Sequence, residues 1–428
     1  MNRSLFFYTC VLTLLAFSRV QADNWPQWRG PNNDGVCMEK NLPTTWDAST
    51  NIAWKLPMPG MGGATPAIWG DRLFVTSEEG KQLVLLCIST DGKELWKRSL
   101  GSATPRARGD EGNGASASPS TDGKHVYVFV GNGTFAAFDF AGKEVWRFNA
   151  QQRYGKFNIQ FGIHSTPVLY GNRLYVQLIH SGVKPRGSGW IVCLDKATGA
   201  DVWKYLRKSD GYDENEHSYA SCFMWSRGKD AYLVVHGNDY ATAHRLEDGE
   251  EIWRLGDLNP KDDRYNRFLR FVASPVCTPD LIVVPTAKNG PVVAVKPEAK
   301  GTIGKGSPFE QWRIEKGTPD VPCPLVHNGL VYLCRENGEL ICLDAASGKQ
   351  YYRRATHNHR HRASPVYADG KLYLTSRDGM ITVVAAGTEF NKLASNKLPD
   401  EIAASPAISG GKIFVRGFKY LWAIENPR

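Results

Sequence analysis

One thirty-residue stretch recurs along the chain, and its clearest copy is Cys323–Tyr352. Short apolar runs alternate there with turn signals, among them Asn-Gly dipeptides at 328–329 and 337–338. Asn and Gly tolerate the left-handed backbone that a tight hairpin requires. The stretch therefore predicts four short strands in one antiparallel sheet. A sheet of this kind cannot cover both of its own faces, so it must stack against copies of itself.

Eight copies open on a Ser-Pro dipeptide or a close variant, which we call the anchor. The first residues of the anchors are Thr65, Ser118, Thr166, Ser221, Ser274, Cys323, Ser364 and Ser405. Most units also end their fourth strand on an aromatic residue, at Trp96, Trp146, Trp203, Trp253, Trp312 and Tyr352. The anchors recur every 40 to 55 residues or so, the spacing of four-stranded propeller blades. The eighth unit stops after its third strand, and Asn51–Pro57 is predicted to supply the missing fourth.

The predicted fold class is therefore all-β: an eight-bladed β-propeller of four-stranded antiparallel blades, closed by an N-terminal strand. The pattern, seen in HSTPVLYGNRLYV at 164–176 and IVCLDKATGADVW at 191–203, resembles the PQQ-like β-propeller repeat. That superfamily includes the quinoprotein alcohol dehydrogenases and the outer-membrane assembly lipoprotein BamB. The resemblance covers nearly all of the chain after Ile52. It implies the fold and leaves the function open, because one fold hosts unrelated activities.

The N-terminal residues are predicted to direct export. Residues 1–22 combine Arg3, an apolar segment over 5–17 and a small-residue cleavage site, as a cleavable signal peptide does. We therefore expect a periplasmic or secreted protein, with a retained N-terminal anchor as the alternative. Cys10 lies inside the apolar segment, so the lipid-attachment signal of BamB-like lipoproteins is missing. No other stretch is long and apolar enough to span a bilayer.

Residues 23–50 are predicted to form an N-terminal arm and residues 51–428 the propeller. The arm contains Trp25 and Trp28, which we expect to pack onto the outside of the ring; an aromatic platform for a ligand is the alternative. Cleavage would remove two arginines and no acidic residue, which lowers the formal charge from +9 to +7. This mild charge slightly favours anionic partners, but without long Lys/Arg runs it does not predict nucleic-acid binding.

Eight cysteines remain after the predicted cleavage. Cys87, Cys193 and Cys342 occupy equivalent third-strand positions in different blades, so they should lie far apart as free, buried thiols. Cys323 and Cys334 share a blade with Cys342, which leaves a local disulfide open. No CxxC motif is present to suggest a zinc or redox site.

Polar residues precede several anchors, where the first strand of each blade should enter the central channel. Two long insertions, residues 101–115 and 257–270, should emerge on that same face. Convergent polar groups in a concave place predict a ligand-binding site. The predicted residues are His164, Glu216, His217, Tyr219, Arg270, Arg360, Arg362 and Glu401.

The densest polar run is His357–Arg362. In an extended strand His357, His359 and His361 would share one face, with the arginines on the other. Three interpretations follow: a transition-metal site held by the three histidines, a hydrogen-bonded network with acidic residues across the channel, or an anion site formed by the arginines.

The resemblance also raises PQQ-dependent oxidation. The dehydrogenases of this superfamily hold PQQ near a disulfide of adjacent cysteines, a calcium ion and a catalytic aspartate. This sequence has no adjacent cysteines, so we expect no catalytic residues and no cofactor, with PQQ and calcium kept as the alternative.

We therefore expect an exported, monomeric, non-catalytic propeller that acts as a binding or scaffold module of the cell envelope. Its partner would be an envelope protein, an extracellular polymer or a small anionic ligand, held at the channel mouth and one rim. The alternative function is a PQQ- or metal-dependent oxidoreductase that uses the central channel.

Overall fold

Asn-Gly and Gly-containing turns break the chain into short strands, and the computed structural model assembles these strands into eight sheets around a central channel. The structure describes residues 24–105 and 111–427, so the predicted signal peptide lies outside the described residues. The turn at Asn328 and Gly329 shows the local cause: both residues have positive φ, 48° and 72°, as a tight hairpin between right-twisted strands requires. The predicted eight-bladed propeller is confirmed.

Each blade runs from an inner strand at the channel to an outer strand at the rim. The inner strands of blades 1 to 8 are Ala67–Trp69, Ser120–Thr121, Val168–Tyr170, Phe223–Arg227, Val276–Thr278, Leu325–His327, Val366–Ala368 and Ala407–Ser409. The second strands are Arg72–Glu79, His125–Phe129, Arg173–Ile179, Asp230–Gly237, Leu281–Val284, Leu330–Cys334, Lys371–Thr375 and Lys412–Arg416.

The third strands are Gln82–Ser89, Thr134–Asp139, Gly189–Asp195, Tyr240–His244, Val292–Val295, Glu339–Asp344, Met380–Ala385 and Tyr420–Glu425. The outer strands are Glu94–Ser102, Glu144–Asn149, Asp201–Arg207, Glu251–Leu255, Glu310–Ile314, Gln350–Ala355, Lys392–Lys397 and, in blade 8, Ile52–Pro57. Two short strands lie outside this plan, Val36–Cys37 beside blade 7 and Gly301–Ile303 beside blade 4. The described helices are Ala150–Tyr154 and the 3-10 turn Asp213–Glu216.

Blade 8 contains strands from both ends of the chain. Ile52–Pro57 pairs antiparallel with Tyr420–Glu425, with Trp54 opposite Ala423. This exchange fills the outer position that the last repeat leaves empty, as the sequence predicted. It ties the ring shut, so that blades 8 and 1 do not separate at an open seam.

The hydrophobic core lies between blades rather than in one central cluster. One cluster joins Phe74 of blade 1 to Val128 of blade 2, and the next joins Phe129 of blade 2 to Leu174 of blade 3. All eight cysteines of the described residues are free and buried, which confirms the prediction of buried thiols.

The closing tryptophans dock neighbouring blades together. The Trp203 indole of blade 3 donates its Nε1–H to the Leu246 carbonyl of blade 4, at 2.8 Å, and lies flat against Gly249. A Cβ on Gly249 would approach the indole to 2.6 Å, so only glycine fits there. The same Nε1–H to carbonyl bond is made by Trp54, Trp96, Trp146 and Trp312. The repeat thus specifies the blade contact as well as the blade.

The arm crosses one end of the ring, where the inner strands lead away from the anchors. Trp25 pairs with Ile68 of blade 1, and the fully buried Arg29 donates to the carbonyls of Pro324 and Pro365 in blades 6 and 7. Trp28 packs edge-on against Phe223 of blade 4. The expectation that both tryptophans pack on the outside of the ring is wrong for Trp28. The arm crosses the ring to supply partners for buried backbone carbonyls, and this course brings Trp28 onto an inner strand.

No helix within residues 24–105 and 111–427 has the length and apolar character needed to cross a membrane.

Candidate functional site

The anchors form a ring of hydrogen bonds around the channel. In seven of them the backbone N–H donates to the side chain of the next anchor, over 2.9 to 3.3 Å. Thr65 closes the ring with a hydroxyl donated to the Ser405 carbonyl at 3.0 Å. The anchor is Ser or Thr because a hydroxyl oxygen can accept this bond, and the Cys323 sulfur takes that place once. The ring of hydrogen bonds joins all eight blades around the channel.

A cavity of about 230 Å³ lies within the channel mouth, on the loop side of the anchor ring. The loops before the anchors form its upper wall, and anchor hydroxyls such as Ser118 and Ser221 form its lower wall. Trp28 of the arm lines the inner end. The lining includes four of the eight predicted ligand-binding residues, which are His164, Tyr219, Arg270 and Arg362. The predicted convergence of distant blades on one mouth is therefore present for half of the set.

Arg362 bridges two carboxylates across the mouth. Its Nη2 donates to Glu111 at 2.6 Å and its Nη1 donates to Glu336. Burial opposes the charge of Arg362, yet the two carboxylates outweigh it and raise the pKa of the guanidinium. Glu111 belongs to the first long insertion, so this triad ties that loop to blades 6 and 7. Arg360, outside the cavity lining, reaches Glu111 at 3.4 Å.

Two further arginines at the mouth are paired in the same way. Arg270, from the second insertion, pairs with Glu214 and lies over the Phe161 ring at 5.0 Å. Arg377 pairs with Glu401 at 3.1 Å. Each arginine of the cavity wall therefore has a carboxylate partner from its own chain. Of the three interpretations of the polar run, the network with acidic residues agrees best with this geometry.

His164 and Tyr219 form an uncharged part of the wall. His164 Nε2 lies 2.7 Å from the Phe161 carbonyl, and its ring meets the Tyr219 ring edge-on at 5.8 Å. Burial lowers the pKa of His164, which keeps its imidazole neutral at neutral pH. Burial raises the pKa of Tyr219 to about 12, so its hydroxyl stays protonated. Both groups offer hydrogen bonds without charge.

The other four predicted residues lie outside the cavity lining. Glu216 is buried and pairs with Arg186 at 2.5 Å, and His217 lies 3.2 Å from the Ser181 hydroxyl. Glu401 pairs with Arg377 of the cavity wall, and Arg360 lies in a neighbouring surface groove. These residues precede anchors as predicted, but local turns direct them toward their own loops.

The His357–Arg362 segment is a bend, with one isolated bridge at His361, and not a strand. The expected placement of three imidazoles on one face is therefore wrong. His357 and His359 lie 3.0 and 3.8 Å from Asp378, whereas His361 is buried and its Nδ1 faces the His359 carbonyl. Over the described ranges, no group of three His, Cys, Asp or Glu side chains is placed to hold a metal ion.

Sequence reasoning missed several cavity residues because it considered only the segments before the anchors. Lys288, Arg377 and Phe418 come from turns between second and third strands, which emerge on the same face. The sequence could have indicated these residues, because alternate turns of an antiparallel blade emerge on the same face of the ring.

Exposed aromatic side chains lie on loops that emerge on the same face as the cavity. Tyr212 is 41% exposed and stacks on Tyr265 at 4.3 Å, and Phe268 is 49% exposed. They come from the loops that lead into blades 4 and 5. Exposed Tyr and Phe beside arginines are typical of protein-binding surfaces.

The ring, the repeat and the mouth define the class of protein: a PQQ-like eight-bladed β-propeller with a polar cavity at one end of its channel. The family model described as outer membrane protein assembly factor BamB matches residues 39–204, 84–305 and 306–390, and the chain belongs to this family.

One sequence relative and two solved structures are similar to the chain. Outer membrane protein assembly factor BamB of Yersinia pestis is 21% identical over 359 residues, covering 82% of this chain and 81% of the relative. The crystal structure of BamB from Moraxella catarrhalis matches with a TM-score of 0.62 at 11% identity, over 87% of this chain and 99% of that one.

A quinohemoprotein alcohol dehydrogenase from Comamonas testosteroni matches with a TM-score of 0.68 at 14% identity, over 95% of this chain and 81% of that one. At such identities the structural matches show the shared propeller fold alone.

Proposed function

We propose that this protein is an exported, non-catalytic scaffold of the cell envelope that binds a partner protein through its cavity face. The observation that carries the proposal is the combination of paired charges and exposed aromatic side chains on that face. Its arginines are paired with carboxylates of the same chain, while Tyr212 and Phe268 are exposed on loops of the same face. Paired charges around exposed aromatics suit a protein partner better than a small anion, which would have to displace the internal carboxylates.

The family assignment supports the same proposed function. The family model and the Yersinia pestis relative are described as outer membrane protein assembly factor BamB, which supports an envelope protein as the proposed partner. The periplasm is the location that fits this role and the predicted signal peptide. We further propose that the protein acts as a monomer, because the ring is closed by strands of one chain.

The residues of the cavity do not fit PQQ with calcium. PQQ carries three carboxylates, yet the mouth already pairs Arg270, Arg362 and Arg377 with carboxylates of the chain. Adjacent cysteines are missing from the sequence, and the eight described cysteines are buried apart from the cavity lining. We therefore propose that the protein acts without a bound cofactor.

Site-specific photo-crosslinking in the native host tests the scaffold proposal. A photoreactive residue at Phe268 should give one discrete adduct with an envelope protein, identified by mass spectrometry. The matched control is Met38, which is 63% exposed on the arm at the opposite face and should give none. Equal adducts from both positions, or none from Phe268, would contradict binding through the cavity face.

Native mass spectrometry of the purified protein tests the non-catalytic assignment separately. The mass should remain that of the bare chain after incubation with PQQ and calcium. A stoichiometric mass increase would overturn the assignment and return the cavity to the oxidoreductase alternative.

A further inference from the structure

The outer strands of blades 6 and 7 differ in charge from those of the preceding blades. In blades 1 to 5 the outer strand begins with an acidic residue: Glu94, Glu144, Asp201, Glu251 and Glu310. In three of these blades the acid pairs with the arginine three positions later, over 2.7 to 2.8 Å. Blades 6 and 7 begin with Gln350 and Lys392 instead. The repeat therefore lacks the acid at the head of the outer strand in two adjacent blades.

Positive charge accumulates in this part of the chain. Residues 349–355 and 391–397, which contain the two outer strands, hold five Lys or Arg and no Asp or Glu. Two of the five have partners on neighbouring strands or turns: Arg353 pairs with Glu339 and Lys397 with Asp378. Lys349, Arg354 and Lys392 are exposed, and none has a salt bridge to any described carboxylate. Apolar surface lies among them, since Tyr351 and Leu393 are 40% and 41% exposed. We call this surface the basic edge.

Both strands of the basic edge are the last in their sheets. Gln350–Ala355 and Lys392–Lys397 have no described strand on their outer side, so alternate backbone N–H and C=O groups face outward. Blade 4 shows that such an edge accepts an added strand: Gly301–Ile303 pairs parallel with Trp253–Leu255 there. Backbone pairing at an outer edge is thus already used once in this ring.

From these observations we propose that the basic edge binds an acidic, extended peptide segment of a partner protein as an added β-strand. Main-chain hydrogen bonds along Gln350–Ala355 or along Lys392–Lys397 hold the segment. On blade 6 its carboxylates face Lys349 and Arg354 and its apolar side chains contact Tyr351; on blade 7 the corresponding residues are Lys392 and Leu393. Charge complementarity selects acidic segments, because a basic strand would meet like charges directly.

Edge cations also have a protective role, since they keep one edge strand from pairing with another copy. The two roles are compatible: like-charged edges of two copies repel each other, while an acidic strand is attracted. Protection alone does not explain why blades 6 and 7 differ from blades 1 to 3. The outer strands of blades 1 to 3 are also open edges, yet they carry both acidic and basic residues. A specific acidic partner explains the difference.

Binding of a defined peptide tests the proposal on the whole protein. The probe is a fluorescein-labelled octapeptide that alternates Glu with Val and Thr, followed by fluorescence anisotropy at low salt. A second peptide carries Pro in place of two central residues, which removes N–H donors, and a third carries Lys in place of Glu. The variant is Arg354→Glu with Lys392→Glu. Its control is Lys204→Glu with Lys55→Glu, the same charge change on the outer strands of blades 3 and 8.

We expect the acidic peptide to bind, and the Pro and Lys peptides to bind at least about tenfold more weakly. The Arg354/Lys392 variant should lose about tenfold in affinity for the acidic peptide, while the control variant stays within about twofold of the original protein. Hydrogen exchange of residues 350–355 or 392–397 should slow in the complex. Equal binding of the Pro peptide, equal loss in both variants, or no binding of the acidic peptide would overturn the added strand.

Vesicles rich in phosphatidylglycerol complete the test. Binding of vesicles but not of the acidic peptide, lost in the Arg354/Lys392 variant, would assign the basic edge to a lipid surface and overturn the proposal. The basic edge lies on the outer rim, whereas the proposed scaffold function rests on the cavity face. The peptide test can therefore fail while the crosslink at Phe268 succeeds, and the reverse also holds.

Discussion

Acid should destabilise this protein steeply, because buried histidines must stay neutral for it to fold. His236 shows the cause most clearly. Its fully buried ring stacks on Phe271 at 4.4 Å and 16°. The fully buried guanidinium of Arg207, from the outer strand of blade 3, donates to the Gly237 and Tyr240 carbonyls of the same blade as His236. Burial first, and the positive charge of Arg207 second, lower the pKa of His236 from 6.5 to about 3.

The sign follows from proton counting. In the unfolded chain His236 takes up a proton as the pH falls through 6.5, while in the folded chain it stays neutral until about pH 3. The unfolded state therefore binds more protons below pH 6.5, and stability is full above that pH and falls below it. At pH 5 the loss is about 2 kcal/mol for this one residue. Burial also lowers the pKa of His244 to about 3 and of His180 to about 4, so the three together lose about 6 kcal/mol.

The test is His236→Phe, which keeps a ring on Phe271 and removes the titrating group. The free energy of unfolding is measured by denaturant titration at pH 8 and pH 5. The difference between the two pH values should be about 2 kcal/mol smaller in the variant than in the original protein. The control is Asn358→Gln, an exposed substitution that neither adds nor removes a titrating group, and it should leave the difference unchanged. An unchanged difference in His236→Phe would refute the reasoning.

Three further outcomes are expected. Gly249→Ala should cost about 2 to 4 kcal/mol of unfolding free energy, because it adds a clash with the Trp203 indole to the strain of a positive φ. The control Gly228→Ala, at a similar φ but in open space, should cost about 1 kcal/mol. Equal costs of the two variants would contradict the docking of the indole on Gly249. Arg29→Leu should cost about 3 kcal/mol and expose the arm to protease, because buried carbonyls lose their donors; undiminished resistance would contradict the role of Arg29. Ellman's reagent should label no cysteine of the folded mature protein and eight after denaturation, whereas a smaller number after denaturation would indicate a disulfide.

The fold could be predicted in detail because each blade carries its own signals. Turn dipeptides such as Asn328-Gly329 mark the hairpins, and the anchors count the blades. The same local signals explain why Ile52–Pro57 could be assigned to blade 8: only one position in the ring lacked a strand, and Trp54 stands where a closing tryptophan belongs. Repetition turns a weak local pattern into a strong one.

The site was harder to predict because side-chain direction is set by irregular loops. Arg362 and Arg270 reach the cavity, but Glu216 precedes an anchor equally well and turns to Arg186 instead. The arm posed the same problem, since no periodicity in its sequence indicates that Trp28 crosses the end of the ring. Backbone partners such as the Pro324 carbonyl, which attract Arg29, are invisible to any pattern of residue types.

Departures from the repeat are the most informative positions in such a chain. Where a blade keeps the anchor, the turn glycine and the acid at the head of its outer strand, the residues serve the ring itself. Where the pattern fails, the ring does not explain the residue: Lys392 replaces an acid that would neutralise its strand, and the loop of Glu111 replaces a short turn. Both departures create features that face outward, one on the rim and one at the channel mouth. Partner binding is therefore best sought at these two places, and the crosslinking and peptide experiments address them separately.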